Sequence, residues 1–187
     1  AMYVLTVLLI NIWVAPQDAA AFVYVTALSY VSSALGRIGS DQQISSHAHL
    51  FRRARPIKAT SMFYVCLAVG FVVVPTVALA IHATIISFSN ADIAHVDYAT
   101  VALTTAFFAA GQTAATTLQA LGQTVGPILV FPFASYLILA GLTLIDPTTV
   151  LGATPVSFMI PTTVGILLCA RPLRFRAKFL SLRSMRG

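Results

Sequence analysis

The sequence contains no glutamate and few charged residues of any kind. Its 187 residues include five aspartates and eleven Lys and Arg, so that 9% of the chain is charged and 58% is hydrophobic. A soluble domain usually has about a quarter of its residues charged. Together with a mean hydropathy of +0.90, this composition excludes a water-soluble domain and predicts a protein that a lipid bilayer surrounds.

Side chains for acid–base, nucleophilic and metal chemistry are also scarce. The five aspartates are scattered singly, so paired carboxylates for acid–base catalysis cannot be assembled. Cys66 and Cys169 each lie in an apolar run without a nearby Cys or suitably spaced His, and we interpret both as packing residues. His82 and His95 border a polar loop, where we expect them to be solvated. Phosphate-loop, nucleophile-elbow and zinc motifs are missing as well, so we expect no enzymatic activity, metal or cofactor.

The positive charges lie in two short stretches. All eleven Lys and Arg residues fall within 37–58 and 171–186. Cytoplasmic loops of membrane proteins collect Lys and Arg, so both stretches should face the same side, with an even number of spans between them. Anionic membrane lipid is then the expected partner of these cations, and nucleic acid is not.

The apolar runs predict an all-α fold, a polytopic membrane helix bundle of about six transmembrane helices in one domain over residues 1–187. Both termini should be cytoplasmic, in a multi-pass protein of the cytoplasmic (inner) membrane. The first run has 13 residues where a span needs about 20. This short run and an initial Ala in place of Met favour a fragment, unless Ala1 is an expression remnant. The predicted spans are 2–14, 20–46, 60–81, 98–121, 128–145 and 150–170, followed by a basic cytoplasmic tail at 171–187.

The fourth segment carries a polar stripe. Gln112, Thr116, Gln119 and Gln123 recur at spacings of four, three and four residues, and Thr105 lies one heptad earlier. All five therefore align on one face of a helix. Two interpretations are open. The amides and hydroxyls either hold neighbouring helices together or line a hydrated cavity that binds a polar solute.

The second segment carries a similar set. Tyr30, Ser33, Arg37 and either Ser40 or Asp41 follow helical spacing, and Arg37 with Asp41 forms an i to i+4 pair. A charge inside the membrane costs about 2.5–3.5 kcal/mol on insertion scales and usually points into the bundle. The alternative is that Arg37 is an anchor whose charge reaches the cytoplasmic interface. The candidate substrate-cavity residues are thus Tyr30, Ser33, Arg37, Asp41, Gln112, Thr116, Gln119 and Gln123.

Two stretches resemble a family of transporters. The stretch YVSSALGRIGSDQQISSHAHLFRRARPIKATSMFY is similar to the second-helix region of polysaccharide and lipid-linked oligosaccharide flippases, where an LG motif precedes a polar half-helix, a basic loop and the third helix. The stretch DYATVALTTAFFAAGQTAATTLQALGQTVGPILVFP resembles their fourth and fifth helices, with an alanine-rich run, an LQALGQT turn and a proline-bearing helix. These O-antigen translocase-like flippases belong to the multidrug/oligosaccharidyl-lipid/polysaccharide exporter superfamily.

The resemblance covers nearly the whole chain and implies one six-helix lobe of a carrier. In such carriers two lobes enclose a polar cavity that opens alternately to either side. A second lobe is therefore implied, either further along the same polypeptide or in a homodimer. The chain resembles the N-terminal lobe, with the C-terminal lobe as the alternative. The resemblance also implies that Arg37 contacts the diphosphate of an undecaprenyl-linked sugar, and our leading hypothesis adds that the stripe on the fourth segment contacts sugar hydroxyls.

Two other functions stay open. A cation-coupled multidrug extruder of the same fold needs a buried acid, for which Asp41 is the candidate, although Arg37 is placed to neutralise it. A non-transporting membrane scaffold subunit of a glycan-assembly complex belongs to a different class. It would associate persistently with a glycosyltransferase or polymerase and would bind no substrate.

Overall fold

The computed structural model describes residues 2–48, 56–88, 95–122 and 126–184, and every secondary-structure element within these ranges is helical. The all-α prediction is confirmed for this part of the chain. A π-helical turn, Val69–Val73, joins α3 to α4, and a 3-10 turn, Pro147–Thr149, precedes α7. The α-helices are α1 Met2–Trp13, α2 Pro16–Ser46, α3 Pro56–Ala68, α4 Val74–Phe88, α5 Tyr98–Ala120, α6 Gly126–Ile145 and α7 Val150–Ser184.

Three helical stretches among the described residues are long and apolar enough to cross a membrane. They are Pro16–Gly36, Lys58–Phe88 and Pro147–Ala170, and Phe133–Ile145 forms a shorter apolar stretch. With 12 residues, α1 is shorter than the length of about 20 that a hydrocarbon core requires. The structure is thus compatible with a helical membrane protein, and the count of six spans stays a prediction.

The described parts of the two basic stretches lie at the same end of the bundle, which we call the basic end. Ile44, from the first stretch, and Leu173, from the second, belong to one buried cluster that also contains Phe63 and Leu118. The turns at 14–15 and 146–149 lie at the other end, because Val14 and Val150 share a second cluster. We call it the opposite end.

α5 lies at the centre of the bundle and packs against α2, α4, α6 and α7. Small side chains on all its faces allow the neighbouring helices to approach closely. The hydroxyl groups of Thr105, Thr113 and Thr116 bond within the helix, as when Thr105 Oγ1 donates to Val101 O at 2.8 Å, whereas those of Thr104 and Thr117 are buried without a partner among the described residues. Cys169 on α7 is buried and free, as predicted, and its Sγ donates to Ala114 O of α5 at 3.3 Å. Because α5 faces protein on most sides, its sequence does not need to be strongly apolar.

The third predicted span differs from the structure at its end. The sequence predicts a helix to residue 81 followed by an acidic loop, whereas α4 continues to Phe88. The helix does not end at the polar His82, because that side chain is buried and hydrogen-bonded inside the bundle. Polarity alone marks a helix end only where the polar side chain has no partner in the fold.

The π-helical turn lies directly before Pro75. A proline inside a helix lacks the N–H that would bond to the carbonyl four residues earlier, here that of Phe71, and its ring crowds that carbonyl. A widened turn at Val69–Val73 gives the ring room. The Thr76 hydroxyl donates to Val72 O at 2.7 Å, so one carbonyl of this turn gains a side-chain partner.

A close contact between α2 and α4 provides a first testable prediction. A Cβ at Gly36 would lie 2.8 Å from Val74 Cγ2, and a β-branched side chain cannot rotate away easily. We expect Gly36→Ala to lower the free energy of unfolding by about 1–3 kcal/mol. Val74→Ala in the same chain should restore part of that loss. A double-mutant cycle by circular dichroism in detergent measures this coupling, and purely additive losses would contradict the contact.

Candidate functional site

The polar residues predicted on α2 and α5 meet in the structure. Ser33 Oγ donates a hydrogen bond to Gln112 Oε1 at 3.2 Å, across 79 residues of sequence. Ser33 is buried and Gln112 is half-buried. The contact therefore joins the two stripes into a single polar site at the interface of the two helices.

Tyr30, one turn before Ser33, extends this site to α6. Its hydroxyl lies 3.3 Å from the hydroxyl of Tyr136, and either group can donate. Tyr136 is only 2% exposed, whereas Tyr30 is 42% exposed. The helical spacing predicted Tyr30, but Tyr136 was missed. The sequence does contain a feature that could have indicated Tyr136, because Ser135 and Tyr136 place two hydroxyl groups in an otherwise apolar run.

Tyr30 belongs to a group of four packed aromatic rings, which we call the aromatic cluster. The ring of Phe108 lies edge-on to that of Tyr30, with centroids 4.6 Å apart. Phe158 then contacts both Phe108, at 5.5 Å, and Tyr136, at 5.8 Å. The cluster joins α2, α5, α6 and α7. Edge-to-face packing of this kind fixes ring orientation, so the exposed part of Tyr30 is held in place.

The stripe on α5 becomes more exposed toward the basic end. Thr105 is buried, Gln112 and Thr116 are half-buried, and Gln119 is exposed. The Thr116 hydroxyl donates to Gln112 O at 2.9 Å, which links two members of the stripe. Gln123 lies outside the described residues. The part of the site that reaches the surface is therefore on the side of the basic end.

Arg37 and Asp41 have their backbone in α2. Arg37 follows Ser33 by four residues and Tyr30 by seven, so helical periodicity puts its backbone position on the same face, nearer the basic end. The side chains of both residues, and therefore their predicted ion pair, lie outside the described residues. Their predicted roles stay predictions.

The prediction that His82 is solvated is wrong. The ring is 0% exposed, and its two nitrogens have partners on different elements. The carbonyl of Val96, 3.3 Å from Nε2, can only accept, so Nε2 carries the proton and donates. Nδ1 then accepts from the Tyr24 hydroxyl at 2.7 Å. Tyr98 contacts the ring edge-on at 5.0 Å, while His95 is exposed, as expected.

Comparisons of the chain with protein-family models, with curated proteins and with solved structures give no match. The likeness to flippases therefore rests on the two sequence stretches alone.

Proposed function

We propose that this chain is one lobe of a membrane carrier that moves a lipid-linked oligosaccharide or polysaccharide precursor across the cytoplasmic membrane by alternating access. Six spans, cytoplasmic termini and a second lobe, in the same polypeptide or in a second copy, belong to the proposal. The observation that supports the proposal most directly is the hydrogen bond between Ser33 and Gln112. It joins polar stripes on two different helices, and helix packing alone does not require polar stripes on both.

The chemistry of the site suits a sugar. Tyr30, Gln112, Thr116 and Gln119 offer neutral hydroxyl and amide groups, which both donate and accept hydrogen bonds as sugar hydroxyls do. The partly exposed ring of Tyr30 adds an apolar surface with a polar tip, and the aromatic cluster keeps it fixed. This combination binds a polar, uncharged ligand without burying an ion.

Arg37 supplies the charge for the phosphate part of the substrate. It is one turn beyond Ser33 on the same face of α2, toward the basic end. A guanidinium group binds phosphate oxygens through two parallel hydrogen bonds. The sugar would lie along the stripe, the diphosphate at Arg37, and the lipid tail in the bilayer. The greater exposure of the stripe near the basic end supports loading from that side.

Reconstituted transport provides the test. The purified carrier, with both of its lobes, is placed in vesicles containing a polyprenyl-diphosphate oligosaccharide with a fluorescent label on the sugar, and transfer between leaflets is followed with a membrane-impermeant quencher. Gln112→Leu should slow transfer about tenfold, which corresponds to about 1.4 kcal/mol. Arg37→Ala should slow it about 10–100-fold, because a hydrogen bond to a charged group contributes about 1.5–3 kcal/mol.

Matched variants separate these effects from misfolding and from general loss of charge. Arg183→Ala removes a cation from the second basic stretch, and Thr163→Val removes an exposed hydroxyl from α7. Both should transport at the normal rate. Full transport by Arg37→Ala would remove its phosphate role. Sodium- or proton-driven drug efflux that Asp41→Asn abolishes would favour an extruder instead, and failure to bind the probe combined with a persistent glycosyltransferase complex would favour a scaffold.

A further inference from the structure

His82 is a buried titratable side chain near the opposite end of the bundle, away from the polar site. It lies six residues before the end of α4 and ties that helix to α2 through Tyr24 and to the turn at 95–97 through Val96. As a neutral ring, His82 uses its one donor and its one acceptor. The arrangement is therefore complete only while the imidazole is uncharged.

A second proton on the ring would no longer fit these two hydrogen-bond partners. Nδ1 would change from acceptor to donor, so the Tyr24 oxygen would have to accept and the phenol proton would lose its partner. The new positive charge would lie in a site that is 0% exposed. An unpaired charge in such a place is costly unless a counter-ion or water reaches it.

The surrounding groups do not compensate that charge. The described groups that hydrogen-bond to the ring or pack against it as aromatic partners are two phenols, Tyr24 on α2 and Tyr98 on α5, and the Val96 carbonyl. Asp97 is exposed, and its carboxylate accepts from Thr100 N as the N-cap of α5. Two further titratable groups on these elements are the exposed His95, whose charge could only be of the same sign, and the half-exposed Asp18 in the first turn of α2.

We propose that His82 is a proton-binding site and that its protonation separates α4 from α2 and from the 95–97 turn at the opposite end. Separation of the helices lets water reach the imidazolium, and hydration lowers the free-energy cost of its charge. Histidine is the side chain whose charge ordinarily depends on pH near neutrality, so pH is the variable to change, and the closed arrangement belongs to the neutral ring. The inference goes beyond the proposed function, because it concerns another ligand, the proton, and another part of the bundle.

A distance measurement tests this separation. Gln17 at the start of α2 and Phe88 at the end of α4 are both exposed, so each can be replaced by a spin-labelled cysteine. The buried Cys66 and Cys169 are replaced by alanine. Double electron–electron resonance spectroscopy of the purified full chain in lipid nanodiscs gives the distance between the two spin labels at about pH 8 and at about pH 5. At the lower pH we expect a second population, longer by about 2–5 Å, which lies between the usual helix shift of about 1–2 Å and a one-turn shift of about 5.4 Å.

Three variants make the test specific. His82→Gln keeps a donor and an acceptor but cannot titrate, and it should give the shorter distance at both pH values. His47→Gln removes a half-buried histidine at the other end of α2 and should respond as the unmodified chain does. Tyr24→Phe removes the partner of Nδ1 and should populate the longer distance already at the higher pH. A shift that persists in His82→Gln, or no shift in the unmodified chain, would overturn the proposal.

Nitrogen-15 NMR of histidine-labelled protein provides a second readout that does not depend on the variants folding equally well. The His82 signal should show a protonated Nε2 and a bare Nδ1 at about pH 8, and gain its second proton together with the distance change. A ring that stays neutral to about pH 5 would contradict the inference. Loss of glycan transport with an intact distance response would count only against the proposed function.

Discussion

Gly70→Leu is expected to lower the free energy of unfolding by about 3 kcal/mol or more, because a side chain at this position would run into the backbone of α5. A Cβ at Gly70 would lie 3.2 Å from Ala110 N and 3.4 Å from Ala109 C. A side chain can rotate away from such a contact, but a helix backbone cannot. Since α5 is held by α2, α6 and α7 as well, its displacement would disturb the whole bundle.

Unfolding in mixed micelles with increasing dodecyl sulfate, followed by circular dichroism, measures this loss. Gly141→Leu is the matched control, because nothing lies within 4 Å of a Cβ at that helical glycine. Its effect should be within about 0.5 kcal/mol or slightly stabilising, since leucine favours a helix more than glycine does. Equal stability of the two leucine variants would mean that α5 does not pass Gly70 as closely as the structure shows.

Phe108→Ala should cost about 3–5 kcal/mol, the usual range for a buried phenylalanine. The side chain is 6% exposed and contacts both Tyr30 and Phe158 in the aromatic cluster. Its removal leaves a cavity where α2, α5 and α7 meet. The ring of Tyr30 would also lose its edge-on support, so glycan transfer should fall even in molecules that remain folded.

Phe88→Ala is the control for this variant. Phe88 is 89% exposed at the end of α4, and its removal should change the free energy of unfolding by less than about 0.5 kcal/mol. The same unfolding assay compares the two, and the vesicle assay then separates loss of folding from loss of transfer. A similar small effect for both variants would show that the aromatic cluster contributes little to stability.

The helices could be predicted from the sequence because their signal is local. Apolar runs, prolines and turn residues are all visible within a window of about 20 residues. The start of α2 at Pro16, four residues before the predicted boundary, follows from the preference of proline for the first turn of a helix. Boundaries move by such amounts because a single residue at a helix end adds little free energy.

Only part of the candidate site could be predicted from the sequence. Helical spacing predicts which residues share a face, and in that way it selected Ser33 and Gln112, which the structure places in contact. It does not predict what another helix brings to that face. Tyr136 approaches Tyr30 from 106 residues away, and Tyr24 approaches His82 from 58 residues away. Both partners were therefore missed, and the burial of His82 with them.

The enclosure of α5 also has a consequence for how the protein is made. Alanine, threonine and glycine gain little when they leave the translocation machinery for lipid, so this helix has a weak tendency to partition on its own. The apolar stretches that precede and follow it in synthesis, Lys58–Phe88 and Phe133–Ile145, do not share that weakness. If α5 crosses the bilayer, as the proposed carrier requires, it depends on its neighbours to do so, and insertion and helix packing become one step for the centre of this bundle.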